Sequence, residues 1–169
     1  MRKSQAGDPD AFARLYDLTL DRVYRYVYFR VTDVHNAEDI TSQVFLKAWE
    51  NINQYRLGSS PFIAWLYRIA RNMVIDQYRT THDTSELDDE MPDVSGPAGD
   101  LGANFEQKVE ADRLRRAMRQ LTEEQQQVLS MKFFDGMSTQ EIAKQMDRQQ
   151  GAVRALQMRA LQALAKALE

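Results

Sequence analysis

Residues 138–158 read STQEIAKQMDRQQGAVRALQM, and this stretch carries the strongest local signal in the chain. Ser138 and Glu141 fit the capping-box pattern, in which two side chains three residues apart each accept a hydrogen bond from the other's backbone amide at a helix start. The apolar positions then predict a short helix through Met146, a tight turn, and a last helix from about Gln150 to the C-terminus.

Three residues at fixed spacing match a helix-turn-helix. Ala143 is small where the two helices must approach closely, Asp147 stands where the turn needs a left-handed backbone, and Val153 is a buried aliphatic residue of the second helix. Glycine is the expected residue at the turn, because an L side chain reaches that conformation at some cost. Aspartate is a permitted but poorer choice.

The exposed positions of the second helix are rich in glutamine and arginine. These side chains make paired hydrogen bonds with adenine and guanine edges in the major groove of DNA. The plainer alternative is a packed pair of amphipathic helices whose polar side chains are only solvated. Because the cap, the small residue, the turn and the polar face occur in register, we favour DNA binding.

The motif belongs to a helical block over residues 105–169. Its first helix is predicted over Phe105–Gln120, and a second capping box, Thr122 with Gln125, starts a helix that ends near Gly136.

Before this block lies an acidic segment, residues 81–104, with seven acidic and no basic side chains. It is rich in glycine and proline and poor in large apolar residues, so it cannot bury enough surface to offset its ordering entropy, and we interpret it as a flexible linker. Residues 1–80 and 105–169 each hold 11 basic and 9 acidic side chains, which leaves each flank at +2 within a net charge of −3. Both flanks could face nucleic acid despite the acidic isoelectric point.

Three further helices are predicted in residues 1–80. Asp8-Pro9 and Ser60-Pro61 each fit an N-cap followed by proline, and another helix begins near Asn36. No stretch alternates with period two over a useful length. The predicted fold class is therefore all-α, with two small helical domains joined by the acidic linker.

Composition excludes several functional classes. The 169 residues contain no cysteine and two histidines, so a thiolate site, a cysteine nucleophile and a histidine-rich metal site are excluded, and we expect no metal and no cofactor. There is no glycine-rich phosphate loop and no serine–histidine–aspartate arrangement, so we do not expect an enzyme. No apolar run approaches the ~20 residues that span a bilayer, and the N-terminus is not a signal peptide, so we expect a cytoplasmic protein.

The helix predicted over residues 61–79 interleaves arginine with aromatic residues, a pattern that suits single-stranded nucleic acid. Trp65 is at helical spacing, where tryptophan is more often core than a stacking platform. Tyr55, in a loop beside Arg56, is the better stacking candidate, although loop aromatics also pack as lids.

Together these stretches resemble the small bacterial RNA polymerase sigma factors of the extracytoplasmic-function type, within the sigma-70 family. Residues 37–49 are similar to the helix of that family that binds core polymerase, residues 62–79 to its promoter-melting and −10-recognition helix, and residues 121–168 to its −35-reading domain. The resemblance implies sigma region 2 over residues 1–80, a linker over 81–104 and sigma region 4 over 105–169.

The resemblance also implies a role for each matching residue. The residues implied to bind core polymerase are Asp39, Gln43, Phe45, Leu46 and Trp49. Those implied for −10 recognition and melting are Tyr55, Arg56, Trp65, Arg68, Arg71, Asn72 and Arg79, with the loop 55–60 capturing a base flipped out of the non-template strand. Those implied for −35 recognition are Ser138, Thr139, Arg148, Gln149, Gln150, Arg154, Gln157 and Arg159.

The implied partners are core RNA polymerase, through its β′ clamp and β flap, promoter DNA, and an anti-sigma protein, with no membrane insertion. Two other interpretations of the residues remain open. One is a helix-turn-helix transcription regulator whose first block is a sensor or dimerisation domain. The other is an interaction adaptor with no DNA role.

Overall fold

The structure is a computed structural model that describes residues 1–58, 60–84 and 105–169, with side chains described over 1–58, 60–79 and 109–169. The chain divides into two compact units, Met1–Pro92 and Asp93–Glu169. Every regular element in the described ranges is helical, as the sequence predicts. The expected acidic linker lies outside the described residues from position 85 onward, and residues 81–84 are the last residues of a helix.

Four helices and one 3-10 turn form the first unit. They are α1 (Arg2–Gln5), α2 (Pro9–Tyr28), α3 (Val34–Glu50), the 3-10 turn Ile52–Gln54, and α4 (Phe62–Thr84). Asp8 caps α2 by accepting hydrogen bonds from the next two free amides, with proline at the first helical position, as predicted. Helix α3 starts two residues before the predicted Asn36, because Asp33 Oδ1 accepts the Asn36 amide at 2.7 Å and caps the helix there.

The core of the first unit lies between α2, α3 and α4. Val23, Val44 and Leu66 are fully buried, one from each helix. The rings of Tyr26 and Tyr67 stack across α2 and α4 with centroids 4.4 Å apart. Because each buried aliphatic side chain of this kind contributes ~1.5–3 kcal/mol, the apolar stripes fix which faces of α3 and α4 remain in solvent.

The second unit also consists of helices within its described residues. They are α5 (Phe105–Arg119), α6 (Glu123–Leu129), a π-helical turn Ser130–Phe134, α7 (Thr139–Gln145) and α8 (Gln150–Leu168). Both predicted capping boxes are confirmed, Thr122 with Gln125 and Ser138 with Glu141. Within the described ranges every helix is too short or too polar to cross a membrane.

A buried glutamine closes the C-terminal end of α5. Gln126 Nε2 donates to the carbonyl oxygens of Met118 at 2.8 Å and Leu121 at 3.2 Å. The Met118 carbonyl also accepts the Leu121 backbone amide at 3.1 Å, so the Gln126 side chain reinforces a turn that ends α5. The neighbouring apolar side chains Val128, Ile142 and Val153 are fully buried. This core supports α7 and α8 from beneath.

Candidate nucleic-acid and polymerase interfaces

The turn between α7 and α8 has the geometry that the sequence predicts. Asp147 adopts a left-handed backbone with φ 51°, and Ala143 and Val153 are buried. The Arg148 amide donates to the Ala143 carbonyl oxygen at 2.9 Å, and the Asp147 amide approaches the Lys144 carbonyl oxygen at 3.4 Å. These two bonds form a Schellman motif, which ends α7 and redirects the chain into α8.

The first two turns of α8 present polar side chains to solvent. Gln149, Gln150, Arg154 and Arg159 are exposed, Ser138 is exposed as the cap of α7, and Thr139 and Gln157 are half-buried. Arg148 forms an ion pair with Glu124, which ties the start of α8 to α6. Gln150 and Arg154 lie four residues apart and therefore share one face of the helix. This face carries the donors and acceptors that base-edge recognition requires.

An exposed cationic strip follows α4. Arg68, Arg71, Asn72 and Arg79 are exposed, whereas Trp65 is half-buried. Residues 68, 72 and 79 recur at four- and seven-residue steps, so they line one side of the helix. The strip combines guanidinium groups for phosphates with an amide for base edges, which suits contact with a DNA strand.

Tyr55 differs from the expectation of a stacking platform. Its ring is 6% exposed and packs on Phe62 and Trp65, with ring centroids 5.5 and 5.6 Å away. Its hydroxyl donates to the Ser60 carbonyl oxygen at 2.6 Å, and burial raises the pKa of this hydroxyl above its ordinary value. Tyr55 is therefore a buried side chain that covers Phe62 and Trp65, and its ring is not exposed for a base to stack on. The adjoining Arg56 is exposed.

One face of α3 combines polar and apolar side chains in solvent. Asp39, Gln43 and Leu46 are exposed and recur at four- and three-residue steps, and Leu46 is 59% exposed. A surface of this composition can form the apolar centre and polar rim of a protein interface.

Two aromatic residues of α3 lie behind this face. Phe45 is buried, with its ring 4.6 Å from that of Tyr16, so in this structure it supports the exposed face, and its contact with core polymerase stays a prediction. Trp49 is half-buried, with its ring 5.0 Å from that of Phe12. Both fall on the apolar stripe that α2 covers.

Sequence reasoning missed Gln5, which lies on the unpredicted helix α1. Its Nε2 donates to the carbonyl oxygens of Tyr55 at 2.7 Å and Ile52 at 3.3 Å. A four-residue helix is too short to show a hydrophobic period, so no local sequence pattern predicts the hydrogen bonds that Gln5 makes. In the part of the chain that the structure describes, no group of three or more His, Asp or Glu residues is arranged to hold a metal ion.

Two family models match the chain. Sigma-70 region 2 matches residues 15–84, and Sigma-70, region 4 matches residues 111–164. The first unit and the second unit each contain one of these matches. Helix α4 falls in the first match, and the helix-turn-helix falls in the second.

Curated relatives and solved structures agree with these matches. The ECF RNA polymerase sigma factor BldN of Streptomyces coelicolor is 37% identical over 169 residues, covering 99% of this chain and 64% of BldN, so the chain spans about two thirds of that relative's length. The ECF RNA polymerase sigma factor SigW of Bacillus subtilis is 29% identical over 183 residues, covering 99% of this chain and 94% of SigW. The sigma factor RpoE of Bartonella quintana, solved with the anti-sigma factor NepR, has the same fold, with a TM-score of 0.71 at 21% identity over 94% of this chain and 96% of RpoE.

Proposed function

Because this chain belongs to the extracytoplasmic-function group of the sigma-70 family, we propose that it is an alternative sigma factor. It binds core RNA polymerase, directs the enzyme to promoters through −35 and −10 elements, and assists strand opening. We place its action in the cytoplasm, where the polymerase and the promoter are, and assign it no catalytic step of its own.

The observation that carries the proposal is the exposed polar face at the start of α8, the second helix of the helix-turn-helix. Gln149, Gln150 and Arg154 are exposed at the start of a helix whose entry is fixed by the Schellman turn. Helix-turn-helix proteins read the major groove with the N-terminal residues of the second helix. We assign the −35 contacts to this face, with Arg148, Gln157 and Arg159 at its edges.

The first unit supports the remaining contacts. The strip of Arg68, Arg71, Asn72 and Arg79 on α4 is proposed to meet the −10 element, with Arg56 at the adjoining loop. The exposed face of Asp39, Gln43 and Leu46 on α3 is proposed to meet the β′ clamp. An anti-sigma protein would hold the factor inactive by covering either face.

The second unit also carries an apolar groove. Its lining includes Leu114, Leu129, Phe133, Leu161 and Leu164, and Phe133 is 60% exposed. Contiguous apolar surface of this kind marks contact sites on proteins. It supports a protein partner for this unit in addition to DNA, and we propose the β flap of polymerase.

Promoter selection by such a chain depends on avidity. Each flank of the sequence carries a net charge of only +2, so neither unit alone has a strong hold on DNA phosphates. Two weakly binding DNA-recognition units on one chain bind a promoter tightly when core polymerase holds them at a fixed spacing. We therefore expect weak promoter binding by the free protein.

Run-off transcription with purified core polymerase tests the proposal. With this protein as the sole initiation factor, we expect transcripts that start at defined promoters and require both elements. A helix-turn-helix regulator would give no promoter-specific transcript with bare core enzyme. The absence of such transcripts from a protein shown to be folded, together with no association with core enzyme, would refute the assignment.

A further inference from the structure

The loop that follows the 3-10 turn is tied at its first residue to helix α1. Gln5 Nε2 donates to the Tyr55 carbonyl oxygen at 2.7 Å and to the Ile52 carbonyl oxygen at 3.3 Å. These carbonyls belong to the first residue of the 3-10 turn and the first residue of the loop, and they lie about fifty positions away from Gln5 in sequence. The side-chain amide of Gln5 thus fixes the backbone at the point where the 3-10 turn ends and the loop begins.

The same loop is closed across its ends by the Tyr55 side chain. The hydroxyl donates to the Ser60 carbonyl oxygen at 2.6 Å, while the ring is packed against Phe62 and Trp65. Gly58, which lies between Tyr55 and Ser60 in sequence, has φ +85°, a conformation that lets the chain reverse direction. Leu57, beside it, is 47% exposed, so Leu57 and Gly58 lie in solvent while Tyr55 and Ser60 are held by hydrogen bonds.

We infer that Gln5 and Tyr55 are positioning residues that set the shape of this loop and so determine how strictly it selects a base of the −10 element. The inference rests on the proposed function, and it takes this loop as the part of the first unit that captures a base flipped out of the non-template strand, as the family resemblance implies. Unstacking a base costs a few kcal/mol, and binding repays that cost best when the receiving loop is already ordered. Neither residue needs to touch DNA, since Tyr55 is buried and the Gln5 amide group donates to backbone carbonyls of its own unit.

Two substitutions remove the hydrogen bonds and leave the packing. Tyr55→Phe removes the hydroxyl but keeps the ring on Phe62 and Trp65, and Gln5→Met removes the amide donor at similar length. Gln54→Met is the matched control, because Gln54 is exposed and its side chain bonds to Asn51 rather than to the loop.

The experiment measures transcription by holoenzyme assembled from core polymerase and the full chain on promoters that differ at single −10 positions. The preferred-to-disfavoured transcript ratio at one position should fall by about five-fold for Tyr55→Phe, as expected for the loss of one hydrogen bond from a preorganised loop. It should fall at least as far for Gln5→Met, which loses two hydrogen bonds. The Gln54→Met ratio, the discrimination among −35 variants and the affinity for core polymerase should stay at wild-type values. A general loss of folding would lower all of these together.

The outcomes separate this inference from the proposed function. If wild-type holoenzyme discriminates among −10 bases and both variants do so equally well, the positioning role is wrong while the proposed function stands. If wild-type protein gives no promoter-dependent transcript, the proposed function itself fails. Amide relaxation of Arg56, Leu57 and Gly58 in the free full chain provides a second readout: increased motion in both variants supports the role, and unchanged motion contradicts it.

Discussion

The backbone amide of Arg148 donates to the carbonyl oxygen of Ala143 at 2.9 Å, closing the turn around a left-handed Asp147. This bond exists only because Asp147 accepts a backbone conformation that L residues with a Cβ rarely adopt. The direction in which α8 leaves the turn therefore depends on one residue that is not the best choice for its position.

We expect Asp147→Gly to raise the free energy of unfolding of the second unit by about 0.5–1 kcal/mol, because glycine has no Cβ to strain the turn. Asp147→Ala should lower it by about 1 kcal/mol, since alanine lacks the short polar side chain that eases this conformation. Chemical denaturation of the full chain, followed by a probe in α8, measures both changes. An alanine variant as stable as wild type would contradict the strain argument.

Features within four or five residues of each other were predictable from the sequence. The capping boxes, the Asp147 turn and the bounds of α8 follow from local rules, and the structure confirms them. What the sequence did not show depends on partners outside that range, on other helices. The bond from Gln5 to Tyr55 spans 50 positions, and the burial of Tyr55 and Phe45 depends on rings contributed by other helices.

The proposed interfaces show the same difference between what local spacing predicts and what packing between helices decides. A helical spacing indicates which residues share a face, but only packing decides whether that face is buried. Asp39, Gln43 and Leu46 are therefore exposed candidates for partner contact, while Phe45, one position from Leu46, is a core residue.

The capping box of α7 should weaken in acid. The backbone amide of Ser138 donates to Glu141 Oε2 at 2.8 Å and, with a hydrogen bond from the Ser138 hydroxyl, holds the pKa of the Glu141 carboxyl below its ordinary value. A lowered folded-state pKa means that this stabilisation is present above the unfolded-state value and is lost as the pH falls through the folded-state pKa. The protection factor of the Ser138 amide, measured by NMR hydrogen exchange on the full chain and corrected for the pH dependence of intrinsic exchange, should fall over that window.

Glu141→Gln is the matched control for this titration. The glutamine oxygen still accepts the amide, but it has no proton to gain over that range, so Ser138 exchange in the variant should not show the acid-dependent step. Identical pH profiles in the two proteins would show that Glu141 ionisation does not govern the cap.

Leu46→Ala should weaken association with core polymerase by roughly ten-fold, the scale of truncating an apolar anchor at an interface centre, with no change in folding. Leu18→Ala is its control, because Leu18 is 74% exposed on α2 and has no assigned contact. Affinity is measured by titrating labelled protein against core enzyme. An equal loss of affinity for core polymerase in both variants would contradict the assignment of α3 to the interface.

Phe45→Ala separates support from contact on the same helix. Its ring is buried against Tyr16, so truncation should cost about 3–5 kcal/mol of unfolding free energy. Core binding measured below the lowered melting temperature should fall less than it does for Leu46→Ala. A stable Phe45→Ala protein that has lost core binding would restore Phe45 as a direct contact.

Arg154→Ala should relax −35 preference. Arg154 is exposed one turn into α8, and a guanidinium that bonds two acceptors of guanine contributes ~1–3 kcal/mol of discrimination against other bases. The comparison is Lys166→Ala, which removes an exposed cation near the other end of the same helix and should leave the preference unchanged. Run-off transcription from a panel of single-base −35 variants measures the preference of each holoenzyme. If Arg154→Ala lowers transcription from every member of the panel by the same factor, Arg154 contacts phosphate and base selection belongs to the neighbouring glutamines, because a phosphate contact carries no sequence information.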